Sequence, residues 1–295
     1  MKKLLFLILI IQICISTTSL FSQENAKNVR KDTVYLWPED SPNNVATPLT
    51  ERPLMEVWLP REKTIEKIPC ILVCPGGGYN GVSYPLEGKP YAEFFTKNGY
   101  ACAVLIYRVY PNHFPAPYAD ACRAMRLLKH DADKFGIDSS RIALLGSSAG
   151  GHLVTTVSTR PGLFIDPDDD LAGTNSARPK CQIALYPVIS FVNHEHKGSV
   201  LKLLGENPDE NKKILLSNEL HVTKNTPPVF LYHNDKDATV PVENSLMYAA
   251  ACAEKNVTFS LHVYSYDIHA AGLAFDIPEL KDWPNSLLVW LKRYL

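Results

Sequence analysis

Arg141-Ile142-Ala143-Leu144-Leu145-Gly146-Ser147-Ser148-Ala149-Gly150-Gly151-His152-Leu153 is the stretch on which the fold turns. Its first part is a short apolar run, the composition of a strand buried on both faces. From Ala149 to Ser158 it reads as a helix. Between the two, Gly146-Ser147-Ser148-Ala149-Gly150 fits G-x-S-x-G. The pattern alone is weak, because with Gly and Ser each at about 7% of residues a chain of this length meets it by chance about one time in ten. Its position gives it weight. A serine held at a sharp strand-to-helix turn needs small neighbours, since the backbone there is tight, and Gly146 and Gly150 supply them. The following helix aims its first amides at developing negative charge. Ser148 is therefore the candidate nucleophile, with a glycine-rich surface turn as the plain alternative.

Outward from this point, strands and helices alternate. Val34 to Trp37 and Met55 to Leu59 read as early strands, and Ile71 to Cys74 as a strand stopped by Pro75-Gly76-Gly77-Gly78. Tyr91 to Lys97 predicts a helix, and Tyr100 to Tyr107 the next strand. Tyr118, Ala121, Cys122, Met125, Leu128, Ala132 and Phe135 recur at helical spacing, with Gly136 as the stop. Strands are expected at 182–186, 229–232 and 258–264, and helices near 242–253 and 283–294. Short buried strands alternating with helices predict an α/β fold, a mostly parallel central sheet with helices on both faces. With no repeat and no Gly/Ser linker, residues 23–295 read as one domain. The irregular stretch 190–226, with a short helix near 199–204, is expected as a cap insertion over the sheet's carboxyl edge.

The three glycines after Pro75 let the backbone turn its amides towards a ligand. Gly77 and Gly78, with Ala149, are the candidate oxyanion donors. A phosphate loop is the rival, but the loop lacks both the Walker Lys-Ser/Thr and the GxGxxG spacing. A general base needs a histidine, and the histidine needs a carboxylate to orient it. His269 lies on a loop after the last strand, as a reaching base should. Asp237 and Asp235 both follow a strand in His233-Asn234-Asp235-Lys236-Asp237, and Asp237 is favoured. The order Ser, Asp, His is that of hydrolases with a nucleophile elbow.

The other histidines read more plainly: His152 as packing, His262 as a strand face, His233 as support for the acid loop. The pair His194 and His196, and the carboxylates between Asp166 and Asp170, are expected to be solvated loops rather than metal sites. Tyr79, Tyr84 and Tyr107 lie near the expected active edge and are candidate substrate-binding rings that could stack on sugars. The chemistry asks for no metal and no organic cofactor.

Thirty basic and thirty-one acidic residues leave a formal charge of −1. That is no basic surplus for phosphates, so nucleic acid is not an expected partner. Residues 1–22 have the grammar of a secretory signal: Lys2 and Lys3, an apolar run from Leu4 to Ile15, then small and polar residues to Ser22. The protein is expected to be exported, periplasmic or secreted, with no membrane span. A lipid anchor on Cys14 is disfavoured because Gln12-Ile13 is a poor lipobox. Cys70, Cys74, Cys102, Cys122, Cys181 and Cys252 sit in apolar periodic segments and read as small buried hydrophobes rather than disulfide partners.

Pro75 to Tyr79, Gly146 to Leu153, Asp237 to Pro241 and His269 together resemble the α/β-hydrolase superfamily. More narrowly, with Tyr107-Arg108, they are similar to bacterial exported carbohydrate esterases of the acetylxylan and feruloyl esterase type, over roughly residues 50 to 295. Two positions depart from many relatives. Pro75 stands where a histidine often precedes the glycines, a variant similar to the carbohydrate-esterase branch, and Ala270 stands where glycine often follows the catalytic histidine. The resemblance implies a serine esterase removing O-acetyl groups from plant or algal polysaccharides or their oligosaccharides. A feruloyl esterase is the near alternative. A prolyl-oligopeptidase-type peptidase shares the residue order but normally carries a large extra N-terminal domain, for which this length leaves no room. A non-catalytic binding protein on the same fold is disfavoured by the intact Ser, Asp and His set.

Overall fold

The computed structural model describes residues 29–60 and 66–295. The expected export signal at 1–22 lies outside the described residues. Among the described residues eight strands form one sheet: β1 (Val29–Tyr35), β2 (Leu54–Pro60), β3 (Ile68–Cys74), β4 (Ala101–Ile106), β5 (Ile137–Ser147), β6 (Gln182–Leu185), β7 (Val229–Asn234) and β8 (Phe259–Tyr264). Their spatial order is β1-β2-β4-β3-β5-β6-β7-β8. β1 and β2 are antiparallel to their neighbours, and every pair from β4 through β3 to β8 is parallel.

Among the described residues eight α-helices join them: α1 (Lys89–Lys97), α2 (Ala116–His130), α3 (Ala132–Phe135), α4 (Ala149–Thr159), α5 (Lys197–Leu204), α6 (Glu210–Leu215), α7 (Glu243–Glu254) and α8 (Trp283–Leu291). The sheet is doubly covered because its central strands alternate apolar residues that are all buried. Cys70, Leu72 and Cys74 of β3 pack with Met125 of α2 and Val154 of α4. Ile71 and Val73 face the other way, with Phe95 of α1 and Leu287 of α8. α7 covers β6 and β7 through Tyr248 and Cys252. The doubly wound architecture is the one expected, with β5 longer than its apolar run and the 118–135 helix divided at Asp131.

All six described cysteines are buried and unpaired. Burial pushes the Cys70, Cys122, Cys181 and Cys252 thiols up to about 12, so they stay protonated hydrophobes.

In the stretch 190–226, α5 coincides with the expected short helix, and α6 and a tight turn at Asn218–His221 add to it within otherwise irregular chain. This segment leans on α4, where the Asn218 amide donates to the carbonyl of His152 at 3.0 Å. The carboxylates at 166–170 are not simply solvated. Asp169 is buried and receives the guanidinium of Arg123 at 2.9 Å and that of Arg126. A buried carboxylate is kept only with such partners.

Candidate active site

In parallel sheets a crevice opens beyond the carboxyl ends of the strands, and four of these ends converge here. β5 runs straight into α4 with Ser148 at the junction, at φ +54° and ψ −122°. A non-glycine residue there is strained and is held by its surroundings. The surroundings are glycine by necessity: a Cβ on Gly146 would lie 2.2 Å from the carbonyl oxygen of Gly150, and one on Gly150 would lie 2.0 Å from that of Cys74. Small residues let α4 press against β3 and β5 and thrust the serine outward.

β7 and β8 supply the rest. His269 Nε2 lies 2.9 Å from Ser148 Oγ, and its Nδ1 lies 2.6 Å from Asp237 Oδ2. With the ring proton on Nδ1, Nε2 is free to accept the serine proton. Asp237 is buried, and its second oxygen accepts the amides of Thr239 at 2.9 Å and Val240 at 3.0 Å. Burial pushes this carboxyl up, but hydrogen bonds from His233, His269 and the Val240 amide outweigh it and hold the group well below the usual carboxylate range. Asp235 is exposed and its amide donates to Tyr264 O, so the choice between the two acids falls on Asp237.

The glycine loop after β3 lies opposite. Gly77 takes φ +132° and packs its α-carbon against the Gly81 carbonyl. The amides of Gly77, Gly78 and Ala149 make no turn or loop backbone hydrogen bond among the described residues. Thus the structure brings together Ser148, Asp237 and His269, with the glycine loop reaching them at Gly76, where an added Cβ would stand 3.0 Å from that of Ser148.

It does not bring the three tyrosines to the cleft. Tyr79 and Tyr107 are 1% and 0% exposed. Tyr79 donates to His152 Nδ1 at 2.8 Å, and Tyr107 donates to the Pro75 carbonyl at 2.6 Å. Both are pillars beneath the loop, because their rings turn into the core while the backbone continues along the rim. Tyr84 is half-buried and its hydroxyl is taken by Glu56, in the middle of β2 and away from the carboxyl edge. None of the three offers a ring to a sugar.

Several residues at the site carried no motif. His233 is buried, donates from Nε2 to the Val240 carbonyl at 2.9 Å and stands 3.5 Å from Asp237 Oδ2. His196, half-buried at the start of α5, comes within 3.9 Å of where a Gly78 Cβ would be. Burial and the nearby His269 push its imidazole down from the ordinary value. Tyr110, 46% exposed, follows the glycine loop at one remove: its amide donates to Tyr79 O at 2.9 Å, and the Lys202 ammonium lies 3.8 Å over its ring. Position after a strand's carboxyl end was the available signal for Tyr110. His152 is a core residue, as expected, with Nε2 donating to Leu216 O at 2.7 Å. Among the described residues no group of three or more His, Cys, Asp or Glu is arranged to hold a metal ion, and no helix is long and apolar enough to cross a membrane.

The doubly wound sheet with a serine at its strand-to-helix elbow defines the α/β-hydrolase class of folds. Within that class the chain belongs to the BD-FAE family, whose model matches residues 55–251. It is similar to a solved acetyl ester-xyloside bifunctional hydrolase from Caldicellulosiruptor lactoaceticus, 37% identical, with a TM-score of 0.82 over 89% of this chain and 96% of that one. It is 35% identical over 215 residues to endo-1,4-beta-xylanase B of Butyrivibrio fibrisolvens, covering 71% of this chain and 33% of that protein. It is 30% identical over 227 residues to an acetylxylan esterase of Xylanibacter ruminicola, covering 75% of this chain and 45% of that protein. The chain thus spans a third to just under half of these two curated relatives.

Proposed function

We propose that this protein is an exported serine esterase that removes O-acetyl groups from a plant or algal polysaccharide, or its oligosaccharides, of the acetylated xylan kind. The observation that carries the chemistry is the unbroken line from Asp237 through His269 to Ser148, at 2.6 and 2.9 Å. Ser148 Oγ attacks the ester carbonyl while His269 Nε2 takes its proton. Asp237 keeps the imidazole in the right tautomer and stabilises the imidazolium. The carbonyl oxygen, now negative, is met by the Gly77, Gly78 and Ala149 amides. His269 returns the proton to the departing sugar oxygen, leaving an acetyl-serine. Water, deprotonated by the same nitrogen, then releases acetate and restores the hydroxyl.

The acetyl and xylan assignment is supported by the similarity to an acetylxylan esterase and an acetyl ester-xyloside bifunctional hydrolase. Tyr110, exposed beside the glycine loop, is the ring we assign to contact with a sugar. Export rests on the signal-like residues 1–22.

Purified protein should release acetate from acetylated xylan faster than it releases ferulate or long-chain acids, and a fluorophosphonate should label Ser148. Ser148→Ala should lower kcat by about 10⁴-fold or more with an unchanged melting curve. Near-wild-type turnover in that variant refutes the mechanism, and a clear preference for feruloylated substrates refutes the acyl group.

A further inference from the structure

Glu87 is 1% exposed, in the wide helical turn Tyr84–Gly88 that precedes α1, and the reaction above makes no use of it. A carboxylate so deeply buried is expensive to keep, so what it holds matters. Both of its oxygens are occupied. Oε2 accepts the amide of Gly76 at 2.6 Å, and Oε1 accepts the hydroxyl of Tyr186 at 2.9 Å. Both partners donate, which is the pattern of an ionised carboxylate rather than a carboxylic acid in need of an acceptor. Burial pushes the group up from its ordinary value, and the Gly76 amide, the Tyr186 hydroxyl and nearby His269 oppose that push.

The two donors lead to opposite sides of the reacting centre. Gly76 is the residue before the oxyanion donors Gly77 and Gly78. It is wedged there: a Cβ on it would stand 2.9 Å from Glu87 Oε2 and 3.0 Å from the Ser148 Cβ. Its own carbonyl accepts the Ser83 amide at 2.8 Å, so this residue is gripped at both its amide and its carbonyl. Tyr186 directly follows β6 and sets its ring edge-on to the His269 imidazole, with centroids 5.1 Å apart at 69°. Tyr91 extends the network, its hydroxyl 3.3 Å from both the Tyr186 hydroxyl and Ser147 Oγ.

We propose that Glu87 is a positioning residue for both halves of the site, aiming the oxyanion loop through Gly76 and seating the His269 ring through Tyr186. It touches no reacting atom. The inference rests on the serine-hydrolase reading above. Its rival is a buried charge that supports stability and nothing else. The two differ in kinetics, because a misaimed donor loop weakens transition-state binding and leaves ground-state binding intact.

The test measures kcat, KM and melting temperature for wild type, Glu87→Gln, Glu87→Ala and Tyr186→Phe on an acetyl ester. Rates are taken well below the lowest melting point and scaled to the folded fraction. Removing one oxyanion donor costs about 10²–10³ in rate, and a loop shifted but still present should fall at the lower end. Glu87→Ala should lose about 100-fold in kcat with KM within threefold. Glu87→Gln, which restores an acceptor for Gly76 but not the charge, should recover part of this and sit about tenfold below wild type. Tyr186→Phe keeps the ring and loses the tether, with a smaller fall of about fivefold and the same flat KM.

If Glu87→Ala does not fold, Glu87→Gln and Tyr186→Phe decide the matter. Values of kcat within threefold of wild type in the folded Glu87 variants, or losses confined to KM, overturn the proposal while the triad stands. A wild type that neither releases acetate nor takes up a fluorophosphonate overturns the hydrolase reading, and the proposal goes with it.

Discussion

Replacing Asp237 by asparagine should abolish nearly all turnover, for a reason the hydrogen bonds make specific. Oδ1 of Asp237 accepts two backbone amides, from Thr239 and Val240, at 2.9 and 3.0 Å. An asparagine must keep its carbonyl oxygen towards those two donors, since turning its NH2 there would set donor against donor. The NH2 then takes the place of Oδ2, 2.6 Å from His269 Nδ1. A donor facing Nδ1 makes that nitrogen an acceptor and moves the ring proton to Nε2. An N–H is thereby aimed at Ser148 Oγ from 2.9 Å, and the base can no longer take the serine proton. The loss expected for this tautomer change is about 10⁴-fold in kcat, or about 5 kcal/mol of transition-state stabilisation. The assay is steady-state hydrolysis of a chromogenic acetate near pH 7.5, with a melting curve for each variant. Asp235→Asn, on an exposed side chain two residues away, is the control and should stay within about twofold, the usual latitude for a surface change. An Asp237→Asn enzyme within 100-fold of wild type, or an equal loss in Asp235→Asn, would refute the tautomer argument.

Three further outcomes are expected. Burial pulls the His152 imidazole down to about 4, with the Leu216 carbonyl opposing and Arg160 assisting. In the unfolded chain the ring titrates near 6.5, so its contribution to stability is complete above about pH 6.5 and is lost as the pH falls towards 4; it amounts to about 3 kcal/mol. Urea midpoints followed from pH 7.5 to 4 should therefore fall more steeply in wild type than in His152→Gln, and parallel curves would contradict this. Gly150→Ala places a methyl group 2.0 Å from the Cys74 carbonyl oxygen and should cost about 3 kcal/mol or more by thermal melting, whereas Gly162→Ala, with open space around it, should be near neutral. Asp169→Asn breaks the buried pairing with Arg123 and Arg126 and should destabilise by about 3–5 kcal/mol; an unchanged melting temperature would return that loop to a solvated role.

The features legible from sequence were those written in consecutive residues. β5, its glycine-flanked serine and α4 could be read off because the apolar run, the serine and the flanking glycines are consecutive and the crowding at Gly146 comes from Gly150, four residues on; the crowding at Gly150, from Cys74 and Pro75 at the end of β3, is tertiary. The order of Ser148, Asp237 and His269, each just past an apolar run, was legible for the same reason. The aromatic rings were not. Tyr79, Tyr84 and Tyr107 border the glycine loop in sequence, but whether a ring turns inward depends on what lies across the sheet: His152, Glu56 and the Pro75 carbonyl. Glu87 was hidden in Tyr84-Pro85-Leu86-Glu87-Gly88, which has the composition of a surface turn. Asp169 looked like one of several loop carboxylates until two arginines of α2 were seen to enclose it.

By itself, then, the sequence determined the alternation of strands and helices, the glycine-flanked turn at Ser148, and the candidates for acid, base and nucleophile, with Asp235 and Asp237 both open as the acid. These follow from periodicity and local sterics, which act over a few residues. The tertiary structure alone decided which tyrosines are pillars, which acid is dry and charged, and how Glu87 ties the glycine loop to the ring beside His269. Desolvation and hydrogen-bond partnership are set by chain segments that meet only after folding, and no window of neighbouring residues contains them.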